Sequence, residues 1–233
     1  LDYAVETGNQ SHLPKILELR LDILSTTKYL DNKRGAIDLN IKYEESLRSN
    51  GRGLDWVIFT LTFFGSTSAE YYIKERKEDA QMYILNIEQY IYSRYNETFY
   101  NDLIHDFVLV KIRFLYHTDQ HDELNILCNN CIKRIKENLN QNHFNHVQVL
   151  QWKSSYFEKI GDYKLMIENR LKAIEILQSL HSTYPKKYRM QLKFSHNNIA
   201  VRFRLRLNDL ESCLKHVELS NSYSMPEDGT SYG

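Results

Sequence analysis

Apolar residues recur along this chain at intervals of three and four, in stretches of about four turns separated by short polar breaks. The clearest stretch runs through Tyr156, Phe157 and Ile160, crosses Gly161-Asp162-Tyr163, and resumes as Leu165, Ile167, Leu171, Ile174 and Leu177. That pattern predicts helix, tight turn, helix. Gly161 is expected to end the first helix in the left-handed conformation, which glycine adopts without a Cβ penalty. Asp162 is expected to cap the second helix by accepting from its free N–H groups.

A second unit of the same kind is Asn197-Asn198-Ile199-Ala200, then Phe203, then the turn Asn208-Asp209-Leu210. Weaker units begin at Arg34-Gly35-Ala36, at Glu78-Asp79-Ala80 and between Asp119 and Leu124. If Ala36, Ala80, Leu124, Met166 and Cys213 are equivalent, the successive spacings are 44, 44, 42 and 47 residues. The expectation is an all-α chain of five antiparallel helix pairs, at about 12–50, 54–95, 98–139, 143–181 and 186–223, with no sheet. These pairs would form a single repeat domain over 1–223, followed by a polar tail over 224–233. Only three prolines (Pro14, Pro185 and Pro226) and eight glycines interrupt the chain, and such scarce punctuation favours long helices.

The Gly-Asp-Tyr turn, with Met166 and Ala173 seven residues apart behind it, resembles the tetratricopeptide repeat. In that family such a turn joins two antiparallel helices, and small side chains recur in the second. Asn197-Asn198-Ile199-Ala200 looks like the family's Asn-Leu-Gly helix start, and Cys213 and Ser220 then fall at the small positions. The resemblance is specific from about 143 to 220. The period exceeds the roughly 34 residues of the standard repeat. It is similar to the elongated variants in bacterial regulators, the sensor domains of maltose-activator-like transcription factors and of peptide-pheromone receptors. HEAT-like repeats share the longer period, and the Gly-Asp-Tyr turn favours the tetratricopeptide reading. For the amino-terminal half both remain open. The resemblance implies a right-handed superhelical solenoid, with a concave groove that takes a protein or peptide segment.

Thirty basic and thirty acidic residues leave no formal net charge, which argues against nucleic acid as the main partner. The most apolar run, Trp56 to Phe64, is far shorter than the roughly 20 residues that span a bilayer, so no membrane partner is expected. Three cysteines are too few for a disulfide framework. With no signal pattern at the amino terminus, the expected location is the cytoplasm. The chain does not begin with Met and is read as the recognition or sensor part of a larger regulatory protein.

Cys128-x2-Cys131 with His143-x2-His146 approaches the spacing of a two-Cys, two-His zinc site. Both cysteines, however, lie in a helical apolar pattern with Leu124, Leu127 and Ile135, and Cys131 falls where the repeat wants a small side chain. They are therefore read as core, with no metal ligand and no cofactor. His105, His117, His121, His143 and His146 cluster mid-chain, but no nucleophile motif, phosphate loop or carboxylate pair accompanies them, and no enzyme is expected. Nucleic-acid contact is left only as a weaker reading, through a local basic helix.

That helix runs from about Lys186 to Leu207, with seven cations and no acidic residue. At about 100° per residue, Arg189, Lys193, His196, Asn197 and Arg204 share one polar stripe. Tyr188, Leu192, Ile199 and Phe203 flank it on one side, and Met190, Phe194, Val201 and Leu205 on the other. Two apolar flanks predict a helix wedged between neighbours, with the stripe opening onto the groove to bind an anionic carboxylate, acidic peptide or phosphate. Self-association of a purely structural solenoid, a homo-oligomer, is the alternative function. The tyrosine clusters at 71–72 and at 83, 90, 92 and 95 motivate it.

Overall fold

The computed structural model describes residues 57, 60, 61, 64, 65, 68–94, 102–138 and 144–224. The expected first pair over 12–50, with Ala36, and the tail beyond Ser224 lie outside the described residues. Among the described residues the structure is helical, with no strand. No described helix is long and apolar enough to cross a membrane. The chain divides after Asp119 into two compact units.

The first unit contains α1 (Ser68–Glu75), α2 (Lys77–Arg94) and α3 (Asp102–His117). Its core is aliphatic and aromatic: Ile73, Ile84, Ile87, Ile91, Ile104, Phe107 and Ile112 are buried. Tyr92 meets Phe107 edge to face, with ring centroids 6.3 Å apart. Arg113 of α3 donates to the carbonyls of Phe64 and Gly65. Glu78-Asp79-Ala80 lies in the first turn of α2, and Ala80 N–H donates to Arg76 C=O at 3.0 Å.

The second unit holds α4 (His121–Asn138), α5 (Phe144–Lys159), α6 (Tyr163–Thr183) and α7 (Pro185–Arg202), then a π-helical turn Phe203–Leu207 and α8 (Leu210–Ser222). Consecutive helices pack on one another throughout this unit. The turn after α5 forms because its residues satisfy the helix ends locally. Gly161 has φ +81°. Asp162 N–H donates to Phe157 C=O at 2.9 Å, and Gly161 N–H to Glu158 C=O at 3.3 Å, the pairing that closes a Schellman end. Asp162 Oδ1 then accepts from Leu165 N–H at 3.0 Å and opens α6.

The same chemistry recurs one pair later. Asn208 has φ 52°, and Asp209 Oδ1 accepts from Ser212 N–H at 3.0 Å to cap α8. Asparagine tolerates the left-handed region better than most residues, so it serves where glycine does. The small positions permit close approach. Met166 and Ala173 are buried, and Ser154 Oγ donates to Met166 C=O at 2.9 Å. Ser220, also buried, donates from Oγ to Lys193 C=O at 3.0 Å.

Candidate functional site

The faces of α4, α5 and α6 enclose a cleft of about 430 Å³. Helical spacing brings its lining together: Asn129, Ile132 and Lys136 on α4; His146, Leu150 and Lys153 on α5; Asn169, Lys172, Glu175 and Ile176 on α6. The α4 and α5 residues are three, four or seven apart and share one helix face, as do Asn169, Lys172 and Ile176 on α6, with Glu175 beside them. The volume falls in the range of small-molecule and side-chain sites, roughly 300–1,000 Å³.

The cleft is cationic. Lys153 Nζ donates to Asn129 Oδ1 at 2.6 Å and lies 5.8 Å from the centre of the Phe157 ring. Burial holds the Lys153 ammonium below the usual lysine range. The nearby Lys172 charge adds to that shift, and the Glu168 charge opposes it. Lys172, which lines the cleft, also pairs with Glu168 at 2.6 Å. Lys136 is exposed in the last turn of α4. Asn169, buried, donates to Leu165 C=O at 2.7 Å. Three ammonium groups and one lining carboxylate, Glu175, make the cleft a place where an anion would replace lost hydration.

The polar stripe expected on α7 has a different disposition. His196 is buried, with only 1% of its surface exposed, and its Nδ1 lies 2.9 Å from Nδ1 of His216 on α8. Arg189 Nη1 donates to Tyr223 C=O at 2.9 Å, and Lys193 C=O accepts from Ser220 Oγ. His196 thus faces α8, Arg189 reaches the residue that ends it, and the Lys193 backbone lies against it. Asn197 is exposed. Arg204 is exposed in the π-turn and donates to Asn208 Oδ1 at 3.3 Å. The five residues therefore do not form one open face. The uniform 100° step fails across the wider π-turn, and α8 covers the middle of the stripe.

The neighbouring cations are also engaged. Glu158 of α5 accepts from Arg202 Nε at 3.0 Å and Arg206 Nε at 3.4 Å, with Arg170 Nη2 4.0 Å away. Only one apolar flank of α7 is covered. Tyr188, Leu192, Ile199 and Phe203 are buried, whereas Phe194, Val201 and Leu205 are exposed.

Cys128 and Cys131 are buried in α4. Burial, then the adjacent Cys131, pushes the Cys128 thiol up to about 12, so it is a protonated packing group. His146 lines the cleft, and His143 lies outside the described residues. Among the described residues no three His, Cys, Asp or Glu side chains converge as metal ligands would.

Sequence reasoning missed the cleft. Lys136, Lys153 and Lys172 come from three helices, and the only signal is that each lies three or seven residues after Asn129, His146 or Asn169. What the fold and site define, among the described residues, is an all-helical arrangement with a cationic interhelical cleft. No family model, no curated protein and no solved structure matches the chain.

Proposed function

We propose that this protein is a non-catalytic, protein- or peptide-binding helical-repeat module of the tetratricopeptide type, and that the α4–α5–α6 cleft receives an anionic side chain or chain terminus of its partner. The observation that carries this reading is the convergence of Lys136, Lys153 and Lys172 on one cleft. A half-buried ammonium such as Lys153 gains most from a bound carboxylate, because the anion offsets the desolvation that burial imposes. The recurrence of a left-handed residue and an Asp cap at 161–162 and 208–209 supports the repeat assignment. On this reading the helix pairs stack as a superhelical solenoid, and the module serves as the recognition part of a cytoplasmic regulator.

The test is binding of a fluorescent peptide library, acidic and neutral, to the full chain. Acidic peptides should bind saturably, and more weakly as salt rises. Lys136→Glu with Lys172→Glu reverses two exposed charges without touching the core. It should weaken binding at least tenfold at low salt. Unchanged affinity in that variant would remove the cleft as the site, and no preference for acidic peptides would remove the reading itself.

A further inference from the structure

Lys153 differs from the other two lysines of the cleft in what surrounds its ammonium. Lys136 and Lys172 are exposed, and Lys172 has the Glu168 carboxylate at 2.6 Å. Lys153 is half-buried on α5. Its Nζ donates at 2.6 Å to a neutral oxygen, Asn129 Oδ1, and lies 5.8 Å from the centre of the buried Phe157 ring. Asn129 Nδ2 donates to Asn125 Oδ1 at 3.4 Å, which leaves Oδ1 of Asn129 to the lysine. No carboxylate among the described residues forms an ion pair with Lys153.

These surroundings favour chemistry that a surface lysine does not offer. An ion-paired carboxylate holds the proton on a lysine, whereas an amide oxygen accepts from an ammonium and from a neutral amine alike. Burial, and then the Lys172 charge, keep the Lys153 ammonium below the usual lysine range. A lysine that is desolvated beside another cation is activated as a nucleophile toward carbonyl carbon. The cleft, about 430 Å³, supplies space beside the amine, and Lys136 and Lys172 line that same space.

We propose that Lys153 is a covalent attachment site for a small aldehyde that carries a phosphate or carboxylate, with Lys136 and Lys172 holding the anionic group. The inference rests on the reading of the cleft as a place that receives an anion. Lys153 Nζ adds to the aldehyde carbon, so that a C–N bond forms and the carbonyl oxygen becomes a hydroxyl. That oxygen then leaves as water with the two amine hydrogens, and a C=N bond remains. No electrons are exchanged and no further reactant is consumed. A peptide carboxylate has the charge without the carbonyl, and a neutral aldehyde has the carbonyl without the charge. One nucleophilic amine beside two exposed ammonium groups selects a molecule that has both.

The experiment treats the full chain near neutral pH, where ordinary lysines are almost wholly protonated. The probes are pyridoxal phosphate and pyridoxal, which differ only in the phosphate. Borohydride then traps any imine as a stable amine, and mass spectrometry maps it. Pyridoxal phosphate should label Lys153 alone, at a concentration roughly tenfold below that which labels any other lysine. Lys153→Arg keeps the charge and removes the amine, and the adduct should vanish. Lys136→Gln with Lys172→Gln should lower the preference for pyridoxal phosphate over pyridoxal by roughly tenfold, a change that loss of structure would not confine to one aldehyde. Adducts spread over the exposed lysines, an adduct that survives Lys153→Arg, or an unaltered preference in the double variant overturns the proposal. Acidic-peptide binding by the unreacted chain is measured beside it. Peptide binding without a Lys153 adduct sinks the attachment site alone, and an adduct without peptide binding sinks the peptide reading alone.

Discussion

His196 Nδ1 and His216 Nδ1 lie 2.9 Å apart in the buried contact between α7 and α8. One ring must donate and the other accept, so this contact requires that at least one ring be neutral. Tyr223 stacks on His196 at 5.7 Å and Phe203 on His216 at 5.4 Å, which walls the pair off from water. Burial, then the facing His216, lowers the His196 pKa from 6.5 to about 4. Burial, then Lys215, lowers that of His216.

A base whose folded pKa is depressed contributes stability that is fully present above its unfolded pKa. That stability is lost as pH falls from about 6.5 toward 4, where the unfolded chain binds the extra proton. The expected loss from His196 is on the order of 2 kcal/mol, less than the full shift because solvent partly screens the pair. Urea unfolding at pH 7 and pH 4.5 measures it. His196→Phe with His216→Phe should reduce the difference between the two midpoints. The same variant removes His196 Nε2, a buried nitrogen with no hydrogen-bond partner, so its stability at pH 7 should fall little. An equal pH difference in variant and wild type would show that the pair is not the acid-sensitive element.

Gly161 sets a second prediction. Its φ of +81° belongs to the left-handed region, and no atom lies within 4 Å of where a Cβ would stand. Any cost of substitution is therefore backbone strain rather than a clash. Gly161→Val should destabilise by about 1–2 kcal/mol. Gly161→Asn should cost less, since Asn208 holds the equivalent conformation at the next turn. Thermal melts of the two variants side by side decide it. Equal melting temperatures would mean that strain at this turn contributes nothing.

The turns were legible because the chemistry that forms them lies within a few residues. Gly161, Asp162 and Asn208-Asp209 satisfy helix ends using their own side chains and carbonyls no more than six residues away. The disposition of the α7 stripe was not legible. His196 meets a partner 20 residues on, and the π-turn at Phe203–Leu207 changes the angular step before Arg204. Periodicity marked Phe194, Val201 and Leu205 as apolar, but it does not say whether a neighbouring helix covers them. The cleft lay further out of reach, since its lysines converge only once three helices have packed.

The cysteines offer a direct chemical check. Cys128 and Cys131 are buried, and Cys213 is half-buried. The thiolate is the reactive form, and a Cys128 thiol raised to about 12 supplies almost none of it near neutral pH. A disulfide-exchange reagent at pH 8 should therefore label one thiol per native chain quickly, with the other two appearing only on unfolding. Rapid labelling of all three would place α4 outside the core. Cys131→Val, which exchanges one small apolar group for another, should cost less than about 1.5 kcal/mol.

Glu158 carries the last prediction. Its carboxylate, mostly buried at the end of α5, accepts from Arg202 Nε at 3.0 Å and Arg206 Nε at 3.4 Å, while Arg170 approaches to 4.0 Å. It therefore links α5 to α6, α7 and the π-turn, and it neutralises part of a segment that has no acid of its own. Exposed ion pairs contribute little, but this one is shared among three cations and half-enclosed. Removing it leaves Arg202 and Arg170 as partly buried charges without their carboxylate, which costs more than the pair itself contributes. Glu158→Gln keeps the shape and removes the charge, and it should destabilise the chain by about 1–3 kcal/mol at low salt. High salt should lessen the penalty only slightly, because the site is shielded from bulk ions. Denaturant titrations at two ionic strengths give both numbers. A penalty below about 0.5 kcal/mol, or one that vanishes in salt, would class the Glu158 cluster with ordinary surface pairs.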